Sequence, residues 1–226
     1  MTINSDTGIG PPGYFSQYYS DRNWKSYTDL LALVVRYSRP GPILDLGAGC
    51  GYFLEAATRW GLSCVGLEGS TEAVEMARKR MASLDIRRHN LSDIFPFQTN
   101  SFQTVVLNQV IEHLEPAVVR HTLHEANRVL RSGGMILITS PSCYNKVELK
   151  ADSTHINLTS PSQLHAAISE AGFENIAPFD SPLKLLGDNW LGIRMMLIIF
   201  KLVNLDSISA TANAFAFKIS TTRVSN

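Results

Sequence analysis

The chain has 226 residues, 45% of them hydrophobic, enough to bury one sizeable core but short for two independent domains of ordinary size. Its 20 Lys and Arg balance 20 Asp and Glu, so there is no net positive field to collect phosphate backbones, which argues against a nucleic-acid partner. Cys50, Cys64 and Cys143 form no CxxC pair, which argues against a disulfide framework or a zinc site and for a reducing compartment.

The first Lys or Arg is Arg22, and with no basic segment followed by an apolar one at the start, a cytoplasmic location is expected. The longest apolar stretch, 191–203, contains Arg194 and Lys201 and falls short of the roughly 20 apolar residues that cross a bilayer. No stable membrane insertion is expected.

In chain order, Gly10-Pro11-Pro12-Gly13 excludes regular structure, while Tyr14, Phe15, Tyr18 and Tyr19 supply packing material; residues to about Asp21 read as a partly ordered arm. Tyr27, Leu30, Leu31, Val34 and Val35 stand at helical spacing and predict a helix over 24–37. From Ile43 onward short apolar runs alternate with helical patterns, the signature of βαβ units around a parallel sheet. Strands are predicted at 43–46, 63–67, 85–89, 104–107 and 135–139, with helices at 52–60, 71–83 and 116–130. Arg78-Lys79-Arg80 reads as the solvated end of the second of these helices. The third stops at Arg131-Ser132-Gly133-Gly134, read as a glycine C-cap. A helix over 161–171 leads to a strand near 173–179, and alternation over 207–219 predicts a last strand or two.

Ile43-Leu44-Asp45-Leu46-Gly47-Ala48-Gly49-Cys50-Gly51-Tyr52 places a glycine-rich turn between strand and helix, where nucleotide-like ligands bind in open parallel sheets. Two residues argue against a dinucleotide. The position that must be small for close helix packing is Tyr52, and Asp45 at the strand end repels a pyrophosphate but accepts hydrogen bonds from loop amides or complements a cation. Glu68 ends the second strand, where a carboxylate accepts bonds from the two hydroxyls of a ribose. The ligand these residues imply is cationic, carries a ribose and lacks phosphate.

Asp45, Gly47, Ala48 and Gly49 with Glu68 and Gly69 resemble motifs I and II of the class I S-adenosylmethionine-dependent methyltransferases. The similarity continues through His89-Asn90-Leu91 and Phe95-Pro96-Phe97, through Asn108-Gln109-Val110-Ile111-Glu112-His113, and through His155-Ile156-Asn157-Leu158-Thr159. That last segment resembles small-molecule methyltransferases related to those that O-methylate quinone precursors. The resemblance covers about residues 40–180. It implies a Rossmann-like three-layer sandwich with a seven-stranded, mostly parallel sheet and an antiparallel last strand. It also divides the chain into an N-terminal arm and helix, 1–40, and a methyltransferase domain, 41–226. S-adenosylmethionine is then the cofactor, with no metal; Asn90 contacts the adenine amino group and Leu91 packs on the ring, with Asp93 the rival if the register slips. Asn108 and Gln109 line the methionine part. Gln103 departs from the Asp usual in the family.

Methyl transfer from a sulfonium needs positioning and, for some acceptors, removal of one proton. His113 and His155 are the candidate bases, since an imidazole titrates near working pH. The acceptor is expected to be a small molecule, methylated at oxygen; a small-molecule N-methyltransferase and a non-catalytic cofactor- or partner-binding protein are the alternatives. Segment 181–206, with Trp190, Met195, Met196 and Phe200, suits a cap over the acceptor pocket, a dimer face or a membrane-surface helix. A monomer or homodimer is expected.

Overall fold

The computed structural model describes residues 13–144, 152–178 and 212–219; the expected cap segment 181–206 and the start of the expected last strand, 207–211, lie outside them. A short helix α1 (Tyr14–Tyr19) and a 3-10 turn (Trp24–Tyr27) precede α2 (Thr28–Tyr37). The alternating core follows: β1 (Ile43–Leu46), α3 (Tyr52–Arg59), β2 (Cys64–Glu68), α4 (Thr71–Arg80), β3 (Asp85–Arg88), β4 (Phe102–Asn108), α5 (Pro116–Val129) and β5 (Leu130–Thr139). Helix α6 (Pro161–Glu170), β6 (Phe173–Pro178) and β7 (Ala214–Lys218) complete it.

The seven strands form one sheet in the order β3-β2-β1-β4-β5-β7-β6. Strands β1 to β5 pair in parallel, and β7 lies antiparallel between β5 and β6, as the resemblance implies. Central strands covered on both faces read as continuous apolar runs, and alternate residues go to opposite layers. Leu44, Leu46, Val105, Leu107, Ile136 and Ile138 pack with Leu123 and Ala126 of α5 and Leu164 and Ile168 of α6. Ile43, Val106 and Leu137 pack on the other face with Leu31 and Val34 of α2 and Phe53, Ala56 and Ala57 of α3. Edge strand β3 exposes Asp85, Arg87 and Arg88, charges that discourage pairing with another chain.

Within the arm, residues 14–19 form α1, because Tyr14 and Phe15 bury against Cys50 and Tyr52. Two local expectations are corrected. The predicted helix over 24–37 starts as a 3-10 turn because the Asn23 side chain accepts from Lys25 N at 3.0 Å. The glycine C-cap after 116–130 is not formed: α5 ends at Val129, and 131–134 belong to β5. There the register shifts between Phe102 and Thr104 and Gly133 takes φ 70°, so these glycines serve a β-bulge and not a helix end.

Candidate active site

In this sheet order the chain leaves β1 toward β2 on one side, and β4 lies on the other, so a crevice opens at the strand carboxyl ends. Gly47, Gly49 and Gly51 follow β1 with φ of 69°, 52° and 71°, a left-handed region that glycine occupies without strain. A Cβ at Gly47 would stand 2.6 Å from Val110 Cγ2, and one at Gly51 3.2 Å from Ala77 Cβ. The first glycine thus lets the loop close on the segment after β4, and the last lets α3 approach α4. Tyr52 is released from that packing role, and its hydroxyl donates to the Tyr19 carbonyl at 3.0 Å.

The buried Glu68 carboxylate accepts from Gly49 N and Ser70 N, each at 2.7 Å. A carboxylate offers about four lone-pair sites, so not all of them are taken up by these amides. Burial raises the Glu68 pKa, and the amides of Ser70, Gly49 and Gly69 offset this only in part. Asp45 is also buried. The loop amides that were one expected partner go elsewhere, those of Gly47 and Ala48 to the Leu67 carbonyl. Burial and the Glu68 charge push the Asp45 pKa well above the carboxylate range. A nearby cation would relieve two buried carboxylates destabilised in this way.

A cleft of about 620 Å³, counting the part open to solvent, lies over these groups. Its floor is Asp45, Gly47, Ala48, Gly49 and Glu68; Asn108, Gln109, Val110 and His113 form one wall. Tyr14, Phe15, Tyr19, Arg22 and Tyr27 cover it from the N-terminal side. Gln109 holds φ 57°, an uncommon conformation for a residue with a Cβ. It is fastened by its amide to the Thr139 carbonyl at 2.9 Å, while Thr139 Oγ1 donates to Asn108 Oδ1 at 2.7 Å.

Three expected cofactor contacts stand apart from the cleft lining: Gly69, Asn90 and Leu91. Gly69 contributes through its amide, near the Glu68 carboxylate. Asn90 is exposed and its Oδ1 accepts from Ser92 N at 3.2 Å, while Leu91 is drawn into the main core. Asp93, the rival, is exposed, and its carbonyl lies 3.2 Å from His121 Nε2.

The two candidate bases sit together, ring centroids 4.8 Å apart, because the backbone amides of Ile156 and Asn157 donate to the Glu112 carbonyl at 2.9 and 3.0 Å. Only His113 of the pair lines the cleft. Its Nδ1 lies 3.0 Å from Thr154 Oγ1 and 3.3 Å from the Thr154 carbonyl. Burial and the neighbouring His155 hold its pKa down to about 4, so the ring is neutral at physiological pH. His155 stands behind it, largely buried, with Nε2 3.9 Å from Asp152 Oδ2. Glu112, His113 and His155 are the one group among the described residues whose donor atoms lie close enough to hold a metal, within 4.8 Å of one another.

Sequence reasoning missed Arg22, Asp152 and Thr154 as site residues. Among the described residues Arg22 is the only Lys or Arg that lines the cleft, and its position before the first strand gave no motif to find it by. Asp152 and Thr154 are visible only as neighbours of His155.

Among the described residues no helix is long and apolar enough to cross a membrane. A family model described as a methyltransferase domain matches residues 44–138. A probable S-adenosylmethionine-dependent methyltransferase of Mycolicibacterium smegmatis is 32% identical over 138 residues, 58% of this chain and 51% of that protein. A ubiquinone biosynthesis O-methyltransferase of Brucella anthropi is 25% identical over 165 residues, 66% of each chain. The chain thus spans about half the length of the first of these relatives. The crystal structure of a SAM-dependent methyltransferase from Archaeoglobus fulgidus superposes with a TM-score of 0.68 at 17% identity, covering 91% of this chain and 98% of that one. That likeness shows the fold.

Proposed function

We propose that the chain, whose residues 44–138 match a methyltransferase-domain family model, binds S-adenosylmethionine and transfers its methyl group to an oxygen of a small-molecule acceptor. The observation that carries this reading is that His113 stands in the wall of the same cleft that holds Asp45 and Glu68, with an imidazole whose pKa burial holds down.

The residues present fit the cofactor. Glu68 has lone pairs left for the ribose hydroxyls, and the buried Asp45 and Glu68 supply negative charge opposite a cation. Arg22 is the cation available to a carboxylate. When bound, S-adenosylmethionine supplies the activated methyl. The chain then has to hold the acceptor in line, which accounts for roughly 7–11 kcal/mol of barrier lowering in favourable cases, and take its proton. A hydroxyl acceptor gives its proton to His113, which is unprotonated at working pH. The cleft has to hold the cofactor as well, and with α1 over it it suits a small acceptor better than a nucleic acid or a protein.

The test is a methyl-transfer assay with labelled S-adenosylmethionine against matched panels of phenolic hydroxyls and amines. Hydroxyl acceptors are expected to be methylated, and His113→Asn to lower kcat about a hundredfold or more with the cofactor Kd unchanged. Methylation confined to amines and indifferent to His113→Asn would refute the oxygen assignment; an amine already unprotonated needs no base.

A further inference from the structure

Resting on that reading, we infer that Asp152 is a positioning residue: through Thr154 Oγ1 it fixes the proton of His113 on Nδ1, leaving Nε2 as the nitrogen that accepts the acceptor's proton. The assignment follows from counting hydrogens along a chain of contacts. Thr154 Oγ1 lies 2.6 Å from Asp152 Oδ1 and 3.0 Å from His113 Nδ1. A hydroxyl has one proton to give, and an ionised carboxylate can only accept. The proton of Thr154 therefore goes to Asp152, and toward His113 the hydroxyl presents a lone pair. The second neighbour of His113 Nδ1, the Thr154 carbonyl at 3.3 Å, is also an acceptor. Nδ1 faces two acceptors and must carry the hydrogen. In a neutral ring the other nitrogen is then bare.

Asp152 is held in the form this requires. Burial by itself would raise its pKa, but hydrogen bonds from the Thr154 hydroxyl and amide and from Tyr14 outweigh it and set it below the usual carboxylate value. The Thr154 amide donates to Oδ1 at 2.8 Å, and the Tyr14 hydroxyl donates to Oδ2, also at 2.8 Å. The charged and titratable groups around the ring are thus Asp152, His155, Glu112 and, one step further, Tyr14. Tyr14 belongs to α1, which lies over the glycine loop with Phe15 Cε1 3.6 Å from the place a Gly49 Cβ would take. The segment covering the cofactor end of the cleft and the base at the acceptor end share one carboxylate.

The inference is tested on the full chain labelled with ¹⁵N-histidine, using long-range proton–nitrogen correlation spectra at neutral pH, with His113 assigned by the resonance lost in His113→Asn. A protonated-type Nδ1 and a bare-type Nε2 are expected; the opposite pattern overturns the inference, with no need of an acceptor. Thr154→Val removes the bridging hydroxyl and is expected to populate the other tautomer and to lower kcat, by up to the roughly 10⁴-fold that a fully wrong tautomer costs, while the cofactor Kd stays unchanged. Thr154→Ser is expected to restore both. If Thr154→Val leaves the nitrogen pattern intact, the Thr154 carbonyl alone sets the tautomer and Asp152 has no positioning role. A correct nitrogen pattern without methylation of any hydroxyl would sink the oxygen-transfer reading, and with it the proton acceptance by Nε2, while the tautomer set through Asp152 would stand.

Discussion

Asp45 and Glu68 are ionisable groups kept where ionisation is unfavourable, and their roles predict opposite effects on stability and binding. Glu68→Ala leaves the Gly49 and Ser70 amides without their acceptor and removes the proposed partner of the ribose hydroxyls. Charge-assisted bonds contribute roughly 1.5–3 kcal/mol each, so calorimetry with S-adenosylmethionine is expected to show the Kd raised by more than tenfold. An unchanged Kd would place the ribose elsewhere. Asp45→Asn removes a buried charge for which no described residue provides a hydrogen bond, and it is expected to stabilise the ligand-free chain. About 1 kcal/mol corresponds to a Tm gain of roughly 2–4 °C at this size. The same variant is expected to bind the cofactor more weakly, because in the proposed site the negative charge that costs stability is the one that complements the ligand. A variant that gains neither stability nor loses affinity would show that Asp45 is already neutral in the folded protein.

At the scale of elements, the sequence showed most clearly what rests on local patterns. Strands β1 and β4 were legible because both are buried, with Asp45 alone interrupting Ile43, Leu44 and Leu46, and Val105, Val106 and Leu107 running together. The helix start at Ser160 was legible because its side chain forms a capping box with Gln163. What stayed hidden depends on distant partners. Four residues with the look of a helix end, 131–134, became part of a strand once β4 was there to pair with. Leu91, expected on the adenine ring, went to the core because α5 offers it Val119 and Leu123. Helix α1 is the clearest case. It has only six residues, too few to be stable alone, and is held from outside. The Glu72 carboxylate accepts from Gly13 N at 3.2 Å and Ser16 N at 3.1 Å, and Tyr14 reaches Asp152 across 138 positions of sequence. Glu72→Ala is therefore expected to loosen α1 alone: hydrogen exchange of amides 13–19 rises, that of β1 and β4 stays unchanged, and the cofactor dissociates faster. Protection at 13–19 that survives the substitution would mean that the aromatic contacts suffice.

For the molecule as a whole, these groups give the ligand-free protein a stability that bends with pH in a particular way. His113 has a folded pKa depressed from 6.5 to about 4. Its contribution is complete above the unfolded value and is lost as pH falls from about 6.5 to 4, since the unfolded chain binds the proton first. Asp45 and Glu68 have raised folded values, so their contribution is complete below their ordinary pKa and is lost as pH rises through the raised ones. The two trends oppose each other across the mildly acidic range. A cationic ligand alters only one of them, because it favours the ionised carboxylates and leaves His113 buried and neutral. Thermal melts at a series of pH values are therefore expected to show S-adenosylmethionine stabilising the protein more at pH 8 than at pH 5. At a hundred times its Kd the gain is about 2.7 kcal/mol. Asp45→Asn is expected to flatten the pH dependence of that gain, and His113→Asn to leave it while removing part of the acid-side loss of the ligand-free chain. A ligand effect that is the same at both pH values would mean that the carboxylates do not change protonation on binding, and that the fit to the cofactor rests on hydrogen bonds and shape alone.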